Sequence, residues 1–209
     1  MVFYFESIVV EPPALLYMGK DKFENEELIR WGWPEDIWFH VDDHSSAHVY
    51  LRLKENQTMD DISEKLLQDC CQLVKANSIK GNKINNLDII YTPWSNLLKT
   101  GDMVAGQVGF KDKSLVRKCK ISSRENFIIN RLNKTKRIQE SIDFAQSRSD
   151  RDALERRKNK EISSEIKEKE KMAERQKVAL EQERSYVNLM NPEKMVSNTN
   201  SSNLEDDFM

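Results

Sequence analysis

Residues 36–53, Asp-Ile-Trp-Phe-His-Val-Asp-Asp-His-Ser-Ser-Ala-His-Val-Tyr-Leu-Arg-Leu, predict a β-hairpin that decides how the rest of the chain is interpreted. Alternate positions are apolar, and they comprise Ile37, Phe39, Val41, Val49 and Leu51. The positions between them are aromatic or polar, and they comprise Trp38, His40, His48, Tyr50 and Arg52. Successive side chains of a strand point to opposite faces, so one face is predicted to build a core. The other face is predicted to be exposed, and it suits a flat or negatively charged partner better than covalent chemistry.

Further strands and two helices are predicted around this hairpin from hydrophobic period and from the turn residues that end each run. The strands cover residues 2–10, 14–18, 87–91, 107–110 and 115–121. A short helix covers 26–31, and a longer one begins at Asp60 or Asp61 and ends near Ser78. The apolar stripe of the longer helix comprises Ile62, Leu66, Leu67, Cys70, Leu73 and Val74. The predicted fold is therefore α+β, with a small mixed sheet and a helix that covers one of its faces.

Composition divides the chain into three parts. All six Gly and all four Trp lie at or before Gly109, and residues 110–191 contain neither Gly nor Pro. This shift predicts a globular domain at 1–122, followed by a long, charged, coiled-coil-like helix at 123–186. Residues 187–209 are rich in Asn and Ser and carry an acidic end, which is typical of a disordered tail.

A net charge of −2 conceals a strongly basic stretch. Residues 111–137 hold ten basic and two acidic residues, a surplus of +8, and we call this stretch the basic junction. Its first part supplies the candidate nucleic-acid contacts Lys111, Lys113, Arg117, Lys118, Lys120 and Arg124. Clustered Lys and Arg indicate an acidic partner such as nucleic acid, and a solvated basic face is the alternative.

The long helical region also carries apolar residues at heptad-like spacing. The candidate partner-binding face comprises Ile128, Leu132, Ile138 and Ile142. It could pack against the domain or against a helix of another protein. Beyond Ser149 the stripe thins, which favours a solvated helix supported by ion pairs over a stable self-dimer.

Catalytic and metal sites find little support in the sequence. The chain has no phosphate-binding loop, no dinucleotide glycine fingerprint, no nucleophile elbow and no Cys/His zinc spacing. His40, His44 and His48 are spaced by four, but a strand-turn-strand path separates them, so no metal ligand set is predicted. Adjacent carboxylates such as Asp42 and Asp43 point to opposite faces of a strand. We therefore expect a protein that is not an enzyme and that needs no cofactor.

The cysteines and the apolar runs bear on location. Cys70, Cys71 and Cys119 are odd in number and two are adjacent, which argues against a disulfide framework and favours a reducing, cytoplasmic compartment. The first ten residues lack the pattern of a signal peptide. No apolar run approaches the ~18 residues of a membrane helix, so any membrane contact is expected to be peripheral.

Several segments resemble the NFACT-R domain family. They are Asp36-Ile-Trp-Phe-His-Val41, Ser46-Ala-His-Val-Tyr-Leu-Arg52, the Gly19-Lys20 turn with Asn25, Tyr91-Thr-Pro-Trp94, and the glycine-containing 101–109 segment. In larger relatives, which are ribosome quality-control factors, this domain accompanies others and is thought to bind RNA. The resemblance implies nucleic-acid binding without a catalytic partner domain. The candidate contacts outside the basic junction are Lys20, Asp21, Lys22, Phe23, Glu24 and Asn25 in the turn, and His40, His48, Tyr50 and Arg52 in the hairpin.

Three hypotheses of function follow. The leading one is a nucleic-acid-binding module, with structured RNA such as tRNA or ribosomal RNA as the first ligand and DNA as the second. The hairpin and the Lys20–Asn25 loop would supply local contacts, while the basic junction would track phosphates. The second is an adaptor that recruits a helical protein partner. The third is a membrane-associated DNA receptor whose basic junction lies against anionic lipid.

Overall fold

The computed structural model describes residues 1–185, which form one compact unit at Met1–Arg151 and the described part of a second unit that begins at Asp152. The first elements in chain order are β1 (Val2–Ser7), β2 (Ala14–Gly19), α1 (Lys22–Trp31), β3 (Asp36–Val41), β4 (Val49–Arg52) and α2 (Glu64–Ala76). They are followed by β5 (Leu87–Pro93), β6 (Leu97–Leu98), β7 (Gly109–Phe110), β8 (Arg117–Ile121), α3 (Asn126–Lys134), β9 (Arg137–Gln139) and α4 (Phe144–Arg184).

Seven of the strands form one sheet in the order β8-β5-β3-β4-β2-β1-β9, and β6 and β7 form a separate two-stranded ribbon. The predicted α+β class and the predicted hairpin, β3 and β4, are confirmed. The expected mixture of strand directions is not found in residues 1–185, because every described pairing is antiparallel. Short loops join β1 to β2 and β3 to β4, and such loops can connect only antiparallel neighbours.

The first face of the sheet carries the main core, as the apolar positions of the hairpin predict. Ile37, Phe39, Val41, Val49 and Leu51 are all buried there. The apolar side of α2 covers them through Leu66, Cys70, Leu73 and Val74. The predicted cap is wrong: Ser63 caps α2, while Asp61 binds the Thr58 backbone and hydroxyl in the preceding turn. Asp60 forms an ion pair with Arg117 instead.

The second face of the sheet is also covered, whereas the sequence predicted it to be exposed. Trp38 and Tyr50 are buried on it beneath Leu28 of α1 and Leu97 of β6. Further cover comes from Trp94, Val108, Phe110, Val116, Ile142 and Phe144. Aromatic rings with one polar atom fit either an exposed or a covered face, so strand alternation alone could not decide between the two.

The long helix predicted at 123–186 is divided into α3, β9 and α4, and the compact unit extends beyond residue 122 to Arg151. Thr135 ends α3, and its hydroxyl oxygen accepts a hydrogen bond from the Glu6 amide at 2.9 Å, which holds this turn against β1. The next residues then pair with β1 as the edge strand β9. The spacing of apolar residues within 125–145 gives no information about this pairing, because the partner strand β1 lies far away in the sequence.

Of the two alternatives that the sequence left open for the candidate partner-binding face, packing against the domain holds for three of its four residues. Ile128 and Leu132 are buried in the core of their own domain, where α3 contacts α2 and β1. Ile138 lies on the exposed edge strand, and Ile142 packs on the second face of the sheet. These four residues therefore share no helix face.

The second unit is described as the part of α4 that follows Asp152. Its large apolar side chains, such as Ile162, Ile166 and Met172, are about half exposed. This agrees with the predicted solvated helix of alternating charge. The predicted disordered tail at 187–209 lies outside the described residues.

Candidate nucleic-acid interface

The turn and the hairpin, which the sequence predicted as separate sites, meet in one cleft of about 1090 Å³. We call it the hairpin cleft. Its walls are Gly19–Lys22 with Asn25, the hairpin turn from Asp42 to His48, Ile79 with Lys80, and the loop from Val104 to Val108. Its floor includes Trp38, His40 and Ile90. A cleft lined by rings, lysines and loop backbone can hold an unstacked base together with its phosphates.

Two stacked rings form the centre of the floor. His40 lies on Trp38 with 5.1 Å between ring centroids and 8° between the ring planes. His48 meets His40 edge-on at 4.8 Å, and Trp38 Nε1 donates a hydrogen bond to His48 Nδ1 at 3.0 Å. The proton of neutral His48 is therefore on Nε2, on the side where the ring hydrogen-bonds to the backbone of Gly106. The buried Trp38 thus fixes both imidazoles.

Both histidines are neutral near pH 7. Burial, and secondarily the neighbouring His40, lowers the pKa of His48 to about 3. Burial also lowers the pKa of His40, against the opposing effect of its hydrogen bond to Val41. His40 Nδ1 donates to the Val41 carbonyl at 2.7 Å, since a carbonyl can only accept, and Nε2 is left as an acceptor. The pair can therefore stack on a base and accept a hydrogen bond, but it supplies no positive charge.

Positive charge comes to the cleft from three exposed lysines that line it, Lys20, Lys22 and Lys80. Lys118 lies in the same cross-strand row as His40, because Lys118 of β8 pairs with Ile90 of β5 and Ile90 pairs with His40 of β3. Its Nζ is 2.5 Å from the Asp42 carboxylate at the rim, and this bond raises the pKa of the lysine. The rim therefore carries carboxylates as well as lysines.

The turn from Gly19 to Asn25 has a defined local structure. Asp21 caps α1, and its carboxylate accepts a hydrogen bond from the Phe23 amide at 2.7 Å. Asn25 is buried beneath Gly19, and no partner among the described residues meets its Oδ1. A Cβ at Gly19 would lie 2.5 Å from that oxygen, which explains the glycine. Phe23 and Glu24, although predicted with this loop, do not line the hairpin cleft; they line a separate pocket beside α1.

Two predicted contact residues of the hairpin are engaged inside the domain, Tyr50 fully and Arg52 with 23% of its side chain exposed. Tyr50 is fully buried and stacks on Tyr17 with 5.0 Å between centroids. Arg52 lies over the Trp33 ring at 3.5 Å, and its Nε donates to the buried Asp36 at 3.0 Å. Tyr50 is covered by Leu28 of α1 and by Trp94, whereas Trp33 and Asp36 hold Arg52. His48 is likewise only 3% exposed and acts through His40.

The basic junction is less positive in three dimensions than its count suggests. Four of its ten basic residues bind carboxylates from elsewhere in the chain, which halves the surplus of +8. The pairs are Arg117 with Asp60, Lys118 with Asp42, Arg131 with Asp69, and Arg137 with Glu6. The other candidates are dispersed: Lys111 donates to the Ser95 carbonyl at 2.6 Å, Arg124 donates to Asn82 at 2.8 Å, and Lys113 and Lys120 are exposed.

Sequence reasoning missed part of the cleft. Ile79 and Lys80 follow α2 and reach the hairpin only through the fold. The loop from Val104 to Gln107 was missed as well, although Gly106 with φ of +83° marks a turn there. Its position depends on Glu26, whose Oε1 accepts hydrogen bonds from Lys99 Nζ at 2.7 Å and from the Gly106 amide at 2.5 Å. No sequence signal connects Glu26 to a loop eighty residues away.

Within residues 1–185, no group of three or more His, Cys, Asp or Glu side chains is arranged to hold a metal ion. No helix of the described part is both long and apolar enough to span a bilayer.

Residues 1–112 match the family model described as "NFACT protein RNA binding domain". The chain therefore belongs to the NFACT-R family, and the sequence-based resemblance is confirmed. Among individual proteins, the chain is similar to coiled-coil domain-containing protein 25 of Mus musculus, with 49% identity over the whole of both chains. It is 51% identical to the Danio rerio protein of the same name, again over both full lengths.

Two more distant similarities extend the comparison. Protein JLP2 of Saccharomyces cerevisiae is 47% identical over 65% of this chain and 68% of its own. A solved structure, the C-terminal part of the fibronectin/fibrinogen-binding protein from Streptococcus suis, superposes with a TM-score of 0.51 at 18% identity. That match covers 64% of this chain and 48% of the bacterial one, and it shows similarity of fold alone.

Proposed function

We propose that this protein is a non-catalytic, cytoplasmic RNA-binding protein that holds structured RNA, such as tRNA or ribosomal RNA, in the hairpin cleft. The supporting observation is that the lysines of the Gly19 turn, Lys80 and the stacked His40 and Trp38 line one cleft. This cleft lies within the segment matched by an RNA-binding family, apart from Lys118 at its rim. The three free cysteines agree with a reducing compartment.

The floor of the cleft suits one unpaired base. The accessible side of His40 offers a flat, uncharged ring, and Trp38 beneath it keeps that ring in place. Protein rings recognise RNA by stacking on bases that loops, bulges and ends leave unpaired. Such a stack contributes about 1–3 kcal/mol per base. His40 Nε2 can add one hydrogen bond to a donor on the base or the sugar.

The lysines suit the phosphates on either side of that base. Lys20 and Lys22 lie on one wall and Lys80 on another, so a strand crossing His40 passes between positive charges. Each neutralised phosphate releases counterions and makes binding weaker in salt. Asp21, Asp42 and Asp43 at the same rim oppose close phosphate packing, which favours a strand that crosses the cleft over a duplex lying along it.

The test is RNA binding by fluorescence anisotropy at two or more salt concentrations. Full-length protein is titrated with tRNA, an unstructured RNA, duplex RNA and single-stranded DNA. The variant Lys20→Glu with Lys22→Glu should weaken tRNA binding at least tenfold and lower the slope of log affinity against log salt by about 1–2. The matched control is Lys65→Glu with Lys167→Glu, which reverses two exposed lysines outside both the cleft and the basic junction and should have a much smaller effect.

Two outcomes would overturn the proposal. One is no detectable binding to any RNA in low salt. The other is equal loss in the cleft variant and the control, because binding would then follow net charge rather than the cleft. Tighter binding of DNA than of RNA would retain the site but replace RNA with DNA as its ligand, since the 2′-hydroxyl would then contribute nothing.

A further inference from the structure

Two thiols from different elements meet beside the edge of the sheet. Cys71 lies on α2 and is fully buried, while Cys119 lies on the edge strand β8 and is half-buried. The register sets Cys119 opposite Ile89, whose side chain belongs to the core face that α2 covers. Cys119 packs against the core cluster that contains Cys71, at the place where α2 contacts β8. A protected thiol and an accessible thiol are therefore held together between a helix and an edge strand.

The two sulfur atoms differ in their readiness to ionise. The hydrogen bond with Cys71 lowers the pKa of Cys119 to about 7, although burial opposes the change. The same hydrogen bond, together with burial, raises the pKa of Cys71 well above its ordinary value. At neutral pH the outer sulfur is therefore partly thiolate, and the inner one stays a protonated thiol. Thiolate character combined with access is what makes a cysteine reactive.

We propose that Cys119 is a modification site for hydrogen peroxide and that Cys71 converts the oxidised product into a disulfide joining β8 to α2. In the first step the Cys119 thiolate attacks one peroxide oxygen, the O–O bond breaks, and hydroxide leaves and takes up a proton. This step yields a sulfenic acid on Cys119. In the second step the Cys71 sulfur attacks the sulfenic sulfur, the S–O bond breaks, and the thiol proton leaves with the hydroxyl as water. The two thiols together supply the two electrons that reduce one peroxide to two waters.

The fold favours this pair over the other possible pairs. Cys70 is fully buried, and burial raises the pKa of its thiol, so a peroxide in solution meets Cys119 first. Strand β8 pairs with β5 on one side only, because it is the edge of the sheet. An edge strand is held by one neighbouring strand rather than two, and the disulfide requires the Cα atoms of Cys71 and Cys119 to lie within about 4.4–6.8 Å of each other.

The experiment uses the folded full-length protein and hydrogen peroxide at neutral pH. After oxidation the remaining thiols are alkylated without reduction, and the protein is digested and mapped by mass spectrometry. The expected product is an intramolecular Cys71–Cys119 peptide. Cys119→Ser should abolish it. Cys71→Ala should leave a Cys119 sulfenic acid that dimedone traps, formed more slowly because the neighbour that lowers the pKa of Cys119 is gone. The matched control, Cys70→Ala, removes the adjacent buried thiol and should leave the Cys71–Cys119 peptide in undiminished yield.

The wild-type peptide map decides the matter even if a core variant folds poorly. Recovery of all three cysteines as free thiols, when the same peroxide treatment oxidises a small-molecule thiol, would refute the proposal. So would a Cys70–Cys119 peptide, or disulfides found only between molecules. Dimedone trapping at Cys119 in the wild type without any disulfide would refute the resolving role of Cys71.

Discussion

Replacing Asp36 by Ala should destabilise the domain far more than the loss of an ordinary surface carboxylate. Asp36 is fully buried and accepts hydrogen bonds from the Tyr17 hydroxyl at 2.5 Å, the Trp33 amide at 2.7 Å and Arg52 Nε at 3.0 Å. The Arg52 side chain is only 23% exposed, so its guanidinium would remain inside without a counter-charge. Breaking a buried pair in this way costs about 3–5 kcal/mol.

Urea unfolding followed by tryptophan fluorescence measures this loss. With a slope of about 2 kcal/mol per molar urea, a loss of about 4 kcal/mol lowers the midpoint by about 2 M. The double variant Asp36→Ala with Arg52→Met should recover about 1–2 kcal/mol, because the unpaired charge is replaced by an apolar chain of similar length. Lys118→Met is the control, since it breaks an ion pair whose lysine is 64% exposed, and it should cost less than about 1 kcal/mol.

A loss of stability in Asp36→Ala no larger than that in the Lys118 control would contradict a buried ion pair at Asp36. So would a double variant destabilised by the sum of the two single changes, because Asp36 and Arg52 would then have no coupling. A third result, intact stability with weakened RNA binding in Arg52→Met, would restore Arg52 as a contact residue. From the structure we expect the opposite result, in which Arg52→Met lowers stability before it weakens RNA binding.

Three further predictions concern the core and the cleft. His48 has a folded-state pKa of about 3, so the unfolded chain binds more protons as the pH falls from about 6.5 toward 3. The free energy of unfolding should have its full value above pH 6.5 and should fall below that pH by up to about 1.4 kcal/mol per pH unit. In urea titrations, His48→Gln should flatten this pH dependence, and the exposed control His44→Gln should keep it. In fluorescence anisotropy, His40→Ala should weaken binding of an unstructured RNA by about 5- to 150-fold. His40→Phe should keep most of the affinity because its ring can still stack on a base, and equal losses in the two variants would argue against stacking. Leu132→Ala should lower the free energy of unfolding by about 2–5 kcal/mol, because its side chain is fully buried in the domain core, and a change within 0.5 kcal/mol would contradict that placement.

Much of the fold could be predicted because local pattern and tertiary structure agree there. The hairpin alternation placed Ile37, Phe39 and Val49 in the core, and the stripe of α2 placed Leu73 and Val74 against them. These signals depend on period and on turn residues, which are properties of short segments. The domain boundary at residue 122 could not be predicted from the sequence, because apolar residues at helical spacing fit a core helix as well as a coiled coil. The structure shows a core helix there, since Ile128 is buried within the domain.

The candidate site was predicted in its parts but not in its assembly. The turn containing Lys20 and Lys22 and the hairpin containing His40 were both identified from sequence, and the structure brings them to one cleft. Lys80 was missed because its place depends on where α2 ends relative to the hairpin. The assignments to Tyr50 and Arg52 failed because period shows which face a residue occupies and does not show what covers that face.

The sequence by itself determined the α+β class, the hairpin with its two faces, the helix that covers the first face, and membership of an RNA-binding family. All of these follow from neighbours in the chain, whose spacing is written in the sequence. Tertiary structure alone decided which polar groups remain available to a ligand. Asp60, Asp42, Asp69 and Glu6 come from distant segments to pair with the basic junction, and α1 closes over the second face. Charge pairing and burial depend on distance in space. Counting charged residues along the chain therefore overstated the positive charge of the basic junction and gave no sign that distant segments form a cleft around His40.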